Sequence, residues 1–302
     1  MPIANFFILG APKCGTTSLQ SYLDQHPETC FSRYKEPNYF ALKGKSLPEK
    51  GPVSPQLMQE LVYSHSITDF DTYQNQFLHH NNEKILGDAS VRYLYTPGTA
   101  ENIHQVAPNV KMVAVLREPV SRLYSHFCMN KQYQLEPLNL LDAIEAEQER
   151  REQRWGWDWH YVNIGLYTEQ LKHYFKLFDR QQLKVYLYDD FRENPIGVYQ
   201  DVCKFLEIDD TFIPDMTKRS KQAYLAKNLM LDRWLHRKNP SRDALKKILP
   251  IRTWESMNKT IEQWNSKPIP KISSMEQTTL KPLFKTDIQN LEDLLNRKTG
   301  WL

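Results

Sequence analysis

Residues 6–18 read Phe6-Phe7-Ile8-Leu9-Gly10-Ala11-Pro12-Lys13-Cys14-Gly15-Thr16-Thr17-Ser18 and predict a buried strand, a loop and the start of a helix. The first four residues are wholly apolar and end at Gly10, which is typical of a strand covered on both faces of a parallel sheet. Leu19, Tyr22 and Leu23 then follow at the spacing of an amphipathic helix. The stretch therefore predicts the first unit of an α/β fold.

Further short apolar runs alternate with helical patterns along the rest of the chain. We predict strands at Lys84–Gly87, Lys111–Leu116 and Leu183–Tyr188. Helical spacing covers Thr99–Val106, Ser121–Gln132, Leu140–Arg154, Tyr167–Phe178 and Pro195–Leu206. This alternation predicts a three-layer α/β fold with a central parallel sheet and helices on both faces. Ligands of such sheets bind beyond the carboxyl ends of the strands.

The composition is that of a globular protein, because 40% of the 302 residues are hydrophobic and 25% are charged. We expect one domain over residues 1–302, with helical additions on the substrate side around 132–163 and 223–271. The net charge of +3 is too small for non-specific binding of nucleic acid by the whole chain, so no nucleic-acid partner is expected.

Positive charge is nevertheless concentrated in residues 217–252, which carry eleven Lys or Arg and only two Asp. This segment either attracts an anionic ligand or forms a solvated helix face. The cluster Trp155-Gly156-Trp157-Asp158-Trp159 also has two interpretations, a substrate wall or the packing of a small satellite core.

The four cysteines are far apart in the sequence, and no CxxC pair or zinc-finger histidine spacing accompanies them. We therefore expect neither a metal site nor a disulfide framework. Reduced thiols favour a cytoplasmic protein. The N-terminal residues show neither the basic region of a secretory signal nor an apolar run long enough to span a membrane.

The loop from Gly10 to Ser18 carries the strongest chemical signal. Between a buried strand and a helix, backbone N–H groups converge on one point and the helix N-terminus adds partial positive charge, so a phosphate is stabilised there. A Walker A loop has its lysine directly after the second glycine, whereas Thr16 follows Gly15 here and the lysine lies earlier, at Lys13. This displacement argues against the usual nucleoside-triphosphate enzyme. The alternative is a turn in which Thr16 only caps the helix.

A second anion-binding pattern follows the predicted strand Lys111–Leu116. Arg117 comes directly after the strand, Pro119 suits the first turn of a helix, and Ser125 falls on that helix about two turns after the strand. Arginine binds phosphate as a bidentate fork, and serine adds a hydroxyl donor. An Arg and a Ser eight residues apart also fit purely structural roles, so the pattern alone leaves both interpretations open.

Together, the two patterns resemble those of the PAPS-dependent sulfotransferases, most closely the branch with bacterial carbohydrate-type enzymes and heparan sulfate sulfotransferases. Residues 13–18 are similar to the 5′-phosphosulfate loop of that family, and residues 116–126 to its 3′-phosphate motif. Shorter similarities occur at residues 165–167, 188–191 and 300–301. The resemblance implies a P-loop-like phosphosulfate-binding loop in the α/β fold, with PAPS (3′-phosphoadenosine 5′-phosphosulfate) as co-substrate and no metal.

The resemblance also implies roles for individual residues. Lys13 would contact the bridging oxygen, where negative charge grows as the sulfuryl group departs. The implied nucleotide-binding residues are Gly15, Thr16, Thr17 and Ser18 for the 5′-phosphate and Arg117 and Ser125 for the 3′-phosphate. Arg219 and Lys221 lie in a stretch that resembles the loop closing over the nucleotide, without its usual glycine.

Transfer to a hydroxyl or amine requires a general base for the acceptor proton. Residues 35–40 match the segment in which the heparan sulfate branch carries its catalytic glutamate, which implies Glu36 as the base. Asp88 is a candidate substrate contact or second base, and a structural role is open to it as well. His126 is expected to be structural or a neighbour of the nucleotide. The chain differs from the heparan sulfate branch at Ala89 and Val91. The sugar contacts of that branch are therefore not assigned to this chain.

We therefore expect a sulfotransferase that moves a sulfuryl group from PAPS to a hydroxyl or amine of a carbohydrate or other small acceptor and releases adenosine 3′,5′-bisphosphate. Two alternatives stay open: a P-loop nucleotide kinase, which would need Mg²⁺, and an inactive relative that binds polyanions through residues 217–252. Neither the acceptor nor the oligomeric state is predicted.

Overall fold

A parallel sheet forms the centre of the protein. The computed structural model describes residues 2–217, 224–236, 239, 241–242, 246 and 250–302. The strands of this sheet are β1 (Phe6–Gly10), β2 (Thr29–Phe31), β3 (Ile85–Asp88), β4 (Lys111–Leu116) and β5 (Leu183–Leu187). Their order across the sheet is β2-β3-β1-β4-β5, and every neighbouring pair is parallel. The predicted α/β class with a central parallel sheet is confirmed.

Helices follow the strands and cover the sheet. The first eight are α1 (Thr16–Leu23), α2 (Tyr39–Leu42), α3 (Pro55–Leu61), α4 (Phe70–Gln74), α5 (Thr99–Val106), α6 (Pro119–Gln132), α7 (Leu140–Glu145) and α8 (Glu147–Glu152). The others are α9 (Tyr167–Leu177), α10 (Tyr188–Glu193), α11 (Pro195–Leu206), α12 (Leu229–His236), α13 (Ile251–Asn265), α14 (Ser274–Leu280) and α15 (Lys285–Leu295). In the described ranges, no helix is long and apolar enough to cross a membrane.

The central position of β1 explains its wholly apolar sequence. Phe6, Phe7, Ile8 and Leu9 have no exposed surface, because β3 and β4 pair with the strand edges and helices cover both faces. β1 lies between β3 and β4, and the chain crosses from one side of β1 to the other after β3, which creates a crevice at the carboxyl ends of the strands. The loops after all five strands begin at this edge.

A smaller antiparallel sheet joins β6 (Tyr224–Ala226) to β7 (Ser266–Pro268). The segment after β7 is tied to α6, because the Tyr124 hydroxyl donates to the carbonyl of Pro270 over 2.7 Å. This contact brings the C-terminal part of the chain over the edge of the main sheet.

The predicted helix over Leu140–Arg154 is wrong in one respect, since the structure divides it into α7 and α8 at Ala146. The next residue, Glu147, turns inward and is 3% exposed. Its carboxylate accepts hydrogen bonds from the backbone N–H groups of Val162 and Asn163, at 2.7 and 3.0 Å. These tertiary bonds accompany the break.

Candidate functional site

A cavity of about 920 Å³ opens at the carboxyl edge of the main sheet. Its volume lies within the range of small-molecule sites. It is lined by the loop after β1, the start of α1, residues that follow β2 and β3, one face of α6, α10 and the segment after β7. The sheet order therefore brings segments that follow all five of its strands to one site, where residues 157–158 and the segment after β7 join them.

The start of α1 is open to an anion. Gly15 precedes the helix with φ 86°, and no side chain accepts a hydrogen bond there as a cap. The first N–H groups of a helix have no partner within the helix, and its dipole favours negative charge at this end. Thr16 does not cap the helix, so the capping interpretation of the sequence is wrong. Gly15, Thr16, Thr17 and Ser18 all line the cavity.

Lys13 reaches across the loop toward α6. Its Nζ lies 3.5 Å from the thioether sulfur of Met129, which is a weak acceptor. Burial lowers the pKa of the Lys13 amino group, whereas the nearby Glu36 carboxylate acts in the opposite direction. The amino group thus lies partly buried in the cavity, in a position to donate to an anionic ligand.

The second predicted motif lies beside the first. Ser125 lines the cavity from α6, one helical turn before Met129. Arg117 does not itself line the cavity, but its Nη1 donates to the Lys13 carbonyl over 3.2 Å, and its guanidinium lies 4.8 Å from the ring centre of Tyr188. The two motifs therefore share one site, with Arg117 linking the loop after β1 to the aromatic wall.

Glu36 lines the cavity from the loop after β2, and its side chain is about one-third exposed. It pairs with Lys35 over 3.3 Å. The same lysine donates to the Thr17 hydroxyl over 2.6 Å. Lys35 thereby connects the candidate base to the first turn of α1, a role that the sequence alone did not reveal.

Asp88 lies at the end of β3 but is fully buried and is not among the cavity-lining residues. Hydroxyl groups of Ser90, Tyr93 and Tyr73 donate to its carboxylate at 2.7, 2.8 and 3.1 Å. Burial raises its pKa to about 6, although these three hydrogen bonds act to lower it. This placement favours the structural role among the alternatives that the sequence left open.

The family model of the sulfotransferase domain matches residues 4–264. The chain belongs to the sulfotransferase domain family. It is 26% identical to human carbohydrate sulfotransferase 15 over 246 residues, which is 68% of this chain and 44% of that protein. It is 22% identical to the Caenorhabditis briggsae bifunctional heparan sulfate N-deacetylase/N-sulfotransferase 1 over 213 residues, 68% of this chain and 23% of that protein. The chain thus spans less than half the length of these curated relatives.

A solved sulfotransferase structure from Alicyclobacillus acidocaldarius is similar over the whole chain. The two chains are 29% identical, and the match has a TM-score of 0.74 over 100% of this chain and 99% of the other. This likeness supports the α/β fold over the whole chain.

Several lining residues of this sulfotransferase-family site were not predicted from the sequence. Tyr188, Phe191 and Arg192 line it from α10, which follows β5 directly. Their spacing predicts one face of a helix, but only the pairing of β5 with β4 shows that this face meets Gly15.

Trp157 and Asp158 also line the cavity, whereas Trp159 is fully buried. The tryptophan cluster therefore divides between a wall and a core.

His126, Arg219 and Lys221 are the other residues that the sequence analysis considered for the site. His126 lines the cavity but is almost fully buried, and its Nδ1 accepts from Arg122 over 3.3 Å. Burial holds the His126 pKa well below its ordinary value, so the ring is neutral. Arg219 and Lys221 lie outside the described residues, as does much of the basic segment 217–252. Among the residues that the structure describes, no group of three His, Cys, Asp or Glu could hold a metal ion.

Proposed function

We propose that this protein transfers a sulfuryl group from PAPS to a hydroxyl or amine of a carbohydrate or other small acceptor. The observation that carries the proposal is the union of both anion-binding motifs in one cavity: Lys13 and Ser125 line it together, and Arg117 bonds to the Lys13 carbonyl. Family membership and the carbohydrate sulfotransferases among the relatives support the reaction class and the acceptor class.

The residues present fit a nucleotide with phosphates at both ends. The uncapped start of α1 would receive the 5′-phosphate through its N–H groups, and Ser125 would donate to the 3′-phosphate. Arg117 would add positive charge beside the 3′-phosphate. The aromatic rings of Tyr188 and Phe191 provide flat apolar surface on which the adenine ring of the nucleotide would pack.

Two residues carry the proposed chemistry. PAPS would supply a sulfuryl group whose bond to the 5′-phosphate oxygen breaks as a bond from sulfur to the acceptor forms. Lys13 stabilises the negative charge that develops on the departing phosphate oxygen, where a positioned cation has its largest effect. Glu36 takes the proton of the attacking hydroxyl or amine.

Transfer of labelled sulfate from PAPS to a panel of acceptors, with a chelator present, tests the proposal. Glu36→Gln should lower kcat by about 100-fold or more and leave the Kd of adenosine 3′,5′-bisphosphate within about twofold. Glu152→Gln, on the exposed surface of α8, is the matched control and should behave as wild type.

Three outcomes would contradict the assignment. Equal loss of turnover and nucleotide binding in Glu36→Gln would remove its role as base. A requirement for Mg²⁺ and a nucleoside triphosphate would indicate the kinase. Binding of polyanions without adenosine bisphosphate binding would indicate an inactive relative.

A further inference from the structure

The cavity has two halves, one on each side of the loop after β1. Ser125, Tyr188 and Phe191 line the half on the side of β4 and β5. Glu36 and Val91 line the half on the side of β2 and β3. Because the nucleotide motifs occupy the first half and the candidate base lies in the second, the second half is the place for the acceptor.

Trp157 and Asp158 form a wall of the cavity that the proposed transfer has not used. Both line the cavity, and the Asp158 side chain is 14% exposed. Arg92, which is 3% exposed, holds this wall from behind. Its guanidinium lies 5.0 Å from the ring centre of Trp157, and its Nη2 lies 3.6 Å from Asp158 Oδ2. Asp158 Oδ2 is itself buried, and no hydrogen bond from the described residues reaches it.

Arg92 is itself balanced by a second carboxylate. Its Nη1 pairs with Glu49 over 3.3 Å, and Glu49 also lies 3.9 Å from the Nζ of Lys45, which is 42% exposed. Burial raises the pKa of Asp158 to about 6, while Arg92 acts to lower it and Glu49 acts to raise it. At neutral pH Asp158 is therefore mostly ionised, and Arg92 does not leave the wall positively charged.

The cations that line the cavity in the described ranges do not compensate this wall. Lys13 lies at the nucleotide loop, Lys35 pairs with Glu36, and Arg192 pairs with Asp189 over 3.2 Å in the other half. An acidic acceptor that packed on this wall would place its carboxylate beside that of Asp158. Such juxtaposition strongly disfavours a ligand in a partly desolvated site.

Resting on the proposed function, we infer that Trp157 and Asp158 bind an uncharged sugar acceptor and select it over an acidic one. The apolar face of a sugar ring packs on the exposed part of the indole, and a sugar hydroxyl donates to the Asp158 carboxylate. Arg92 is a positioning residue that fixes both side chains.

The probes are phenyl β-glucoside and phenyl β-glucuronide, which share the aglycone and the ring with its hydroxyl groups and differ at C6, a hydroxymethyl group in the first and a carboxylate in the second. Sulfation of each is followed with labelled PAPS by wild type, Asp158→Asn and the control Asp293→Asn on the exposed surface of α15. Binding of adenosine 3′,5′-bisphosphate is measured first on all three proteins, so that failure of the proposed function is recognised separately.

Wild type should show a kcat/KM for the glucoside at least about tenfold above that for the glucuronide. Asp158→Asn should raise the KM of the glucoside about tenfold, reduce this preference, and leave kcat and the nucleotide Kd within about twofold. Asp293→Asn should match wild type.

The inference is overturned if the glucuronide is used equally well or better, or if wild type binds the nucleotide but sulfates neither glycoside. An unchanged preference in Asp158→Asn removes its role. Wild-type selectivity decides the question even where Asp158→Asn does not fold, and loss of nucleotide binding by wild type refutes the sulfotransferase proposal itself.

Discussion

Replacing Gly15 by alanine tests how the phosphate loop and the aromatic wall depend on each other. Gly15 has φ 86°, and an added Cβ would lie 3.1 Å from ring carbons of both Tyr188 and Phe191. Gly98 is a matched control, because it also precedes an eight-residue helix, with φ 81°, and its added Cβ would meet nothing within 4 Å. The two substitutions share the backbone strain and differ in the clash.

The magnitudes follow from these contacts. A left-handed backbone costs alanine about 1–2 kcal/mol, and the lost freedom of the unfolded chain offsets about 0.4–1 kcal/mol of this. Gly98→Ala should therefore lower the free energy of unfolding by about 0–1.6 kcal/mol. Gly15→Ala should lose about 1–3 kcal/mol more, because both rings must move in a packed site.

Urea denaturation and calorimetry with adenosine 3′,5′-bisphosphate measure the two effects. We expect the nucleotide Kd of Gly15→Ala to rise by at least about tenfold, corresponding to ~1.4 kcal/mol, while Gly98→Ala binds as wild type. Equal stability of the two variants, together with an unchanged Kd for both, would refute the packing of α10 against the phosphate loop.

Two further predictions concern stability. Tyr93→Phe removes a donor from the buried Asp88 carboxylate and should lower the free energy of unfolding by about 1–3 kcal/mol without changing the nucleotide Kd. Tyr34→Phe, at an exposed tyrosine, is the control and should have little effect on the denaturation midpoint, which measures both variants. A selective loss of turnover in Tyr93→Phe would instead give Asp88 a catalytic role. Hydrogen bonds, first among them the one from Lys298, lower the Glu292 pKa to about 2. A carboxylate whose pKa is lowered by folding stabilises the fold above its ordinary pKa, and this effect is lost as the pH falls. Glu292→Gln should therefore have a lower free energy of unfolding than wild type at pH 7, and the two values should converge between about pH 4.5 and 2. A difference in free energy of unfolding that is constant with pH would contradict this.

The sequence predicts those elements whose signal is local. The buried strand at Phe6–Leu9 and the helices at Thr99–Val106 and Pro195–Leu206 show their periodicity within a single short window, and the structure confirms them. Strand β2 has only three residues, Thr29–Phe31, and exists because it pairs with β3. Strand β7 ends in Pro268, which is tolerated at a sheet edge but predicts no strand.

The site residues also differ in whether a local sequence signal predicts them or only the tertiary fold reveals them. The loop after β1 is predicted as an anion site because it lies between a buried strand and a helix. The roles of Lys13 and Thr17 within it come from the resemblance to the sulfotransferases. The roles of Lys35 and Tyr188 depend on which strands are neighbours, and no spacing within the chain reveals that order. Trp157 and Trp159 are two residues apart, yet one faces the cavity and the other packs in the core, because only the tertiary fold distinguishes them.

Calorimetry with two nucleotides tests most directly whether one cavity binds both phosphates. Adenosine 3′,5′-bisphosphate should bind wild type about 100-fold more tightly than adenosine 5′-monophosphate, because its 3′-phosphate adds a charge-assisted hydrogen bond from Ser125 and lies near the positive charge of Arg117. Ser125→Ala should reduce that ratio about tenfold while the monophosphate binds as before. Equal affinity of wild type for the two nucleotides, or equal weakening of both by Ser125→Ala, would contradict the account.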